Sequence, residues 1–254
     1  MPSALFKIEI GSIYKTGGHP ALLPPRMALC TADMKEAIET LRASLQQAGG
    51  ALILSDLFRS YDMQTQSHLD YVSGRKSAFS PPAGGSFHEA GRAFDLDLGR
   101  IHVSLRDLWD LAAPAKLVPI ISAPDPNASE AWHFECRGSH QRVYEYYKAG
   151  KGTNFDKPYK AAAASAILSV GVPVDRFDDN QKAAYIQSGL IRMGAVIGNL
   201  DGQIGPKTRD ALEEMGIGMT SLEEAVALVD DQLQREFPEE FFDRSLQTPG
   251  LVHA

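Results

Sequence analysis

The sequence predicts an α+β fold, a small and mostly antiparallel sheet with helices packed on it, followed by a small all-α unit. Three observations predict it. Helical and strand periodicities alternate up to about residue 150, a Gly-, Lys- and Asn-rich stretch then breaks the pattern, and the chain beyond residue 160 reads as helix apart from one glycine-rich turn. Charge divides in the same place. Residues 175–254 hold 15 Asp/Glu and 7 Lys/Arg, so the chain's net −7 comes from its last third, and residues 1–174 carry +1. The expected organisation is a first unit over 1–150, a linker and helix start over 151–165, and a helical unit over 166–254.

The elements follow in order. In "TADMKEAIETLRASLQQAGG" Thr31 is an N-cap candidate, Met34, Ala37, Ile38, Leu41 and Leu45 recur at helical spacing, and Gly49-Gly50 closes the helix. "ALILSDLFRS" reads as a short apolar strand, and "SYDMQTQSHLDYVSG" as a second helix ending at Gly74. "RAFDLDLG" and "AWHFE" have the period of two of strands, with a helix in "SLRDLWDLAAPAK" between them. "KAGKGTNFDKPYKAAAASA" begins as linker and turns into an alanine-rich helix.

Bulk properties exclude several classes. No apolar run approaches the roughly 18 residues needed to span a bilayer. No basic stripe with interleaved aromatics offers a nucleic-acid surface. Cys30 and Cys136 are too few for a disulfide framework and are expected as buried free thiols. The start "MPSALFKIEIGSIYK" has neither a basic n-region nor an apolar h-region, so no Sec-type signal peptide is expected. Nothing in the sequence sets the oligomeric state.

The chemistry concentrates in "GGSFHEAGRAFDLDLG". Strand alternation puts Phe94, Leu96 and Leu98 on one face and Ala93, Asp95 and Asp97 on the other. In "AWHFE" it puts Trp132 and Phe134 on one face and His133 and Glu135 on the other. Asp95 and His133 are thus offered toward a shared site, and His88, in the loop before the first strand, can fold back over it. Two imidazoles and a carboxylate make a three-ligand zinc set whose fourth position stays open, as catalytic zinc requires. Arg92 stands where an H-E-x-x-H helix needs its second histidine, so Glu89 is not the expected base. Glu130, at the mouth of the second strand, is the better general base. Singly, each of these residues has a plainer structural reading; their combination points to a metal. His19, His68, His102, His140 and His253 lack such a context and read as structural or solvent-exposed.

The combination resembles a family. Ser86-x-His88-x-x-Gly91-x-Ala93-x-Asp95 is similar to the S-x-H-x-x-G-x-A-x-D pattern of VanY-like D-alanyl-D-alanine carboxypeptidases, and Glu130-x-Trp132-His133 to their E-x-W-H. The wider group includes phage L-alanyl-D-glutamate endopeptidases and the hedgehog signalling domain. The resemblance covers roughly residues 50–137. It implies His88, Asp95 and His133 as zinc ligands and Glu130 as general base. It also implies that Arg59, in "LFRSYDMQ", stabilises the developing oxyanion. The family's tyrosine before this arginine is Phe58 here. Ser86 is expected to hold substrate or orient His88.

"IQSGLIRMGAVIGNLDGQIGPKTRDALEEMGI" resembles a second family, the three-helix peptidoglycan-binding domain, through Asp201-Gly202-x-x-Gly205-x-x-Thr208, with Thr208 expected to begin the next helix. The family's closing F-Q is replaced by Met215-Gly216-Ile217. Together the resemblances imply a zinc peptidase of peptidoglycan stem peptides, first of all a D-alanyl-D-alanine carboxypeptidase. An endopeptidase of the L-alanyl-D-glutamate or cross-bridge type and a non-catalytic wall-binding protein are the alternatives. Such an activity without a signal peptide implies release by a phage-type lysis system or delivery by a secretion or injection apparatus.

Overall fold

The structure, a computed structural model, describes residues 3–243; His253 lies outside them. The chain opens with β1 (Phe6–Lys7), β2 (Gly11–Thr16), β3 (His19–Leu22) and β4 (Leu29–Cys30). β2 and β3 form an antiparallel hairpin across Gly17-Gly18, which take the positive φ values that a tight two-residue turn demands. Then come α1 (Ala32–Gln47), β5 (Leu54–Asp56), α2 (Tyr61–Val72), β6 (Ala93–Leu96), α3 (Leu105–Ala112), β7 (Val118–Pro119), β8 (His133–Glu135) and α4 (His140–Lys148). Six strands make one sheet in the order β3-β2-β5-β6-β8-β7. Only the β2–β5 pair is parallel.

Packing on the two faces of β6 and β8 explains where a site can sit. The register sets Phe94 opposite Phe134 and Asp95 opposite His133. The phenyl rings stack at 5.8 Å and enter a core with Met34, Ile38, Leu41 and Leu45 of α1 and Leu108 of α3. The polar pair is left on the opposite face. Both strands are shorter than their alternation predicts. β6 stops at Leu96, because Asp97 caps a 3₁₀ turn by accepting the Gly99 N–H at 2.9 Å, and that turn carries Leu98. Before β8, the His133 N–H donates to the Glu130 carbonyl at 3.0 Å. This turn takes Trp132 out of the alternation, so it lines a cleft instead of joining Phe134 in the core.

The remaining helices are α5 (Pro158–Ser169), α6 (Gln181–Arg192), α7 (Pro206–Glu214) and α8 (Leu222–Glu236). α5 is buried on all sides from Ala161 to Ser169, as an apolar helix without a polar face must be. It shares one apolar cluster with Phe87, Ala90, Ala93, Val143 and Tyr146 of the first unit and with α6 and α8. The Asp201–Thr208 turn is clamped by Gln187, whose carbonyl accepts the Asp201 and Gly202 N–H groups at 3.0 and 2.7 Å. Pro206, not Thr208, begins α7, since proline suits the first helical position; Thr208 is buried inside the first turn. Among the described residues no helix is long and apolar enough to cross a membrane.

A buried ion cluster ties distant parts of the chain together. Arg92 pairs with Asp33 at 2.7 Å and with Glu240 at 3.2 Å, and Arg192 pairs with Glu240 at 2.7 Å. Arg92, Arg192 and Glu240 are all essentially inaccessible to water.

Candidate metal centre

Each site residue is placed by an identifiable local device. Residues Phe87–Ala90 form a 3₁₀ turn capped by Ser86, whose hydroxyl accepts the His88 N–H at 3.3 Å. The Glu89 carboxylate reaches back to the Ser86 and Gly84 N–H groups at 3.1 and 2.9 Å. Glu89 therefore holds the loop that carries His88, and burial pushes its pKa up to about 7. Gly91 ends the turn at φ +62°, where a side chain is strained, and a Cβ there would meet Cys30 Cα at 2.9 Å. Ala93 is small enough for the α5 cluster to close over the start of β6. Two residues further on, the same face opens and presents Asp95.

His88, Asp95 and His133 converge, their ligand atoms all within 4.8 Å of one another. His88 Nδ1 lies 2.8 Å from the Leu57 carbonyl. A carbonyl only accepts, so Nδ1 carries the proton and Nε2 keeps its lone pair for the site. That Nε2 lies 3.4 Å from Asp95 Oδ1, and His133 Nδ1 lies 2.8 Å from the same oxygen. Metal–ligand bonds of about 2.0–2.1 Å in a tetrahedron separate their donors by about 3.3 Å, and the two Asp95 separations, 3.4 and 2.8 Å, lie near that value. The far nitrogen of His133, Nε2, faces Glu135 Oε1 at 3.5 Å, and Arg137 holds Glu135 at 2.6 Å. A carboxylate in this place fixes the orientation of the imidazole and would raise its basicity as a metal ligand.

The electrostatics agree with the geometry. Burial pushes the Asp95 carboxyl up, but His88 and His133 overcome it and hold the group well below the usual range. Glu130 has a positive φ of 69°, and its Oε1 is buried without a hydrogen-bond partner. Burial raises its pKa. A buried carboxylate oxygen left unpaired is costly and marks a place for a proton or a polar substrate atom. Arg59, 6% exposed, donates from Nε to Asp56 at 2.6 Å, from Nη1 to Gln64 at 3.2 Å and from Nη2 to Asp95 at 3.2 Å. Three of its five N–H groups are thus engaged and two stay available.

These residues line a cleft of about 630 Å³, a size suited to a small-molecule or peptide ligand. One wall carries Lys76 and Phe79 from the segment after α2. Another carries Tyr144 of α4 and Lys157, Pro158 and Tyr159 at the start of α5. All six expected site residues, Arg59, Ser86, His88, Asp95, Glu130 and His133, line this cleft. Cys136 is not among the converging ligands; its thiol faces Asp33 at 3.6 Å. Both cysteines are buried and free. His140 is fully buried against Ser165, His68 and His102 bond backbone carbonyls, and His19 is exposed.

Four contributors escaped the sequence reading: Asp56, Gln64, Lys76 and the supporting role of Glu135. Two had a usable signal. Glu135 shares a strand face with His133, and Gln64 is the only buried residue of α2, a polar anchor on a helix without an apolar stripe.

No family model matches the chain, and no curated protein matches it. Among solved structures it is similar to the LdcB LD-carboxypeptidase, whose structure is described as revealing the molecular basis of peptidoglycan recognition. The identity is 22%, the match covers 58% of this chain and 92% of that one, and the TM-score is 0.35. A likeness at that level carries no function across.

Proposed function

We propose that the chain is a metal-dependent peptidase of peptidoglycan stem peptides, acting as a D-alanyl-D-alanine carboxypeptidase. The observation that carries this reading is the convergence of His88, Asp95 and His133 in a cleft beside the unpartnered Glu130 oxygen. With the motif resemblance it favours zinc as the ion. A zinc ion held there would supply Lewis-acid polarisation of the amide carbonyl and of the attacking water. Glu130 takes a proton from that water as its oxygen bonds to the carbonyl carbon, and delivers it to the leaving nitrogen as the C–N bond breaks. Its burial-raised pKa suits both roles. Arg59 directs a remaining N–H to the developing oxyanion, while its bond to Asp95 Oδ2 turns Oδ1 toward the two imidazoles. Ser86 fixes the His88 backbone. In this reading the C-terminal region over 166–254 serves as a wall-binding unit built around the clamped Asp201–Thr208 turn.

Zinc-loaded protein incubated with a stem pentapeptide tests the reading. Release of free D-alanine, abolished by chelation and restored by zinc, is the expected result. New amines with no free D-alanine would make the enzyme an endopeptidase, and no hydrolysis in the zinc-loaded state would contradict the reading.

A further inference from the structure

The cleft holds four cations, Arg59, Lys76, Arg137 and Lys157. Arg59 is spoken for by Asp56 and Asp95, and Arg137 by Glu135. Lys157 is exposed at the start of α5. Lys76 differs from all three. It is half-buried, and among the described residues no carboxylate stands within ion-pair distance of its ammonium. It is nonetheless close enough to Arg59, Asp95, Asp56 and Glu130 to interact with them electrostatically.

Its position is built, not incidental. Lys76 Nζ donates to Ser67 Oγ at 3.0 Å, Ser80 Oγ donates to the same oxygen at 3.0 Å, and Gln64 Nε2 donates to Ser80 Oγ at 3.0 Å. Gln64 in turn accepts from Arg59, which bonds Asp95. Gln64 and Ser80 are fully buried. A continuous chain of hydrogen bonds therefore runs from a metal-ligand carboxylate to the Lys76 ammonium. The Lys76 backbone is pinned separately, its N–H donating to the Asp70 carbonyl at 3.0 Å. An ammonium that is partly desolvated, held in place and without a carboxylate partner is prepared for an anionic ligand.

The chemistry of an exopeptidase substrate supplies that anion. A free C-terminal carboxylate one residue past the cleaved bond lies only about 3–4 Å from the scissile carbonyl carbon. A cation that reads it must stand near Glu130 and Arg59, and Lys76 lines the same cleft and is close enough to both to interact with them electrostatically. We propose that Lys76 binds the free α-carboxylate of the substrate's last residue and so makes the enzyme select chain ends over internal bonds. This rests on the peptidase reading above and deepens it.

The test compares wild type, Lys76→Met and Lys76→Arg, each zinc-loaded, on an acyl-Lys-D-Ala-D-Ala peptide and its C-terminal amide. A charge-assisted contact predicts that wild type prefers the acid peptide by about 10–100-fold in kcat/KM. Lys76→Met should lose most of that preference through KM, with kcat and zinc content little changed, and Lys76→Arg should recover part of it. Calorimetric binding of the same peptides to Glu130→Gln protein, with and without Lys76→Met, should show the same loss of discrimination. If Lys76→Met keeps the wild-type KM and preference, the anchor is elsewhere and the inference is overturned while the peptidase reading stands. Wild type that cleaves acid and amide equally well overturns it in the same way. If the zinc-loaded wild type cleaves neither peptide, the peptidase reading fails and the inference falls with it.

Discussion

Asp95 meets three partners at once: Oδ1 faces His88 and His133, and Oδ2 accepts from Arg59. Behind His133 stands Glu135, so the centre's integrity depends on residues that would not touch the ion. Glu135→Gln should weaken zinc binding by about 10–100-fold, read by competition against a chromophoric chelator. Unchanged affinity would mean that His133 is oriented by other groups. At this scale strand alternation and motif spacing brought out His88, Asp95, His133 and Glu130, and the structure brings the first three together in the cleft that Glu130 lines. The places of Asp56 and Lys76 in the cleft were not legible, because they come from side chains meeting across the fold and no local period records that.

The turn between Ser86 and Gly91 shows how an element sets a site. Ser86 and Glu89 cap it, Gly91 ends it in the left-handed region, and β6 then starts in the register that puts Asp95 opposite His133. Gly91→Ala should cost about 1–3 kcal/mol in unfolding free energy, measured by urea denaturation. The loss should bring weaker zinc binding as the turn shifts against Cys30. A variant as stable as wild type would show that neither the left-handed backbone nor the close approach matters. Glu89 illustrates the limit of local reading: the sequence removed it as the base, while the structure gives it the work of holding the loop. Strand lengths were overestimated for a related reason. Alternation continues on paper through Asp97 and Leu98, but the Asp97 cap to Gly99 diverts the chain into a 3₁₀ turn. The β2–β3 hairpin was not read from the sequence, although Gly17-Gly18 is a turn signal.

Across the whole molecule, the Arg92–Asp33–Glu240–Arg192 cluster joins α1, the start of β6, α6 and the segment after α8. Removing one buried partner strands the others' charge, so Glu240→Gln should cost about 3–5 kcal/mol in stability. Burial pushes the Glu240 carboxyl up, yet Arg92 and Arg192 more than offset this and hold it below the ordinary glutamate value. Its charge therefore adds stability above that value, and the contribution is lost as pH falls through the depressed folded pKa. The gap in unfolding free energy between wild type and Glu240→Gln should be full at neutral pH and narrow as pH falls below the ordinary glutamate value; a gap that stays constant with pH would contradict the assignment. The sequence showed Arg92 only as the residue that spoils an H-E-x-x-H pattern. Its partners lie 59 and 148 positions away, a separation that no periodicity bridges. The cluster formed by α5 with Ala90 and Ala93 was hidden in the same way, although the alanine-rich composition did indicate a helix there.

Metal stoichiometry and peptide hydrolysis measured together on Glu130→Gln test the central claim most directly. The geometry predicts about one zinc per chain, as in wild type, with hydrolysis reduced by about 10²–10⁴-fold. His133→Ala, by contrast, should lose both. Glu130→Gln protein that still hydrolyses the peptide at the wild-type rate, or that no longer binds zinc, would contradict the account.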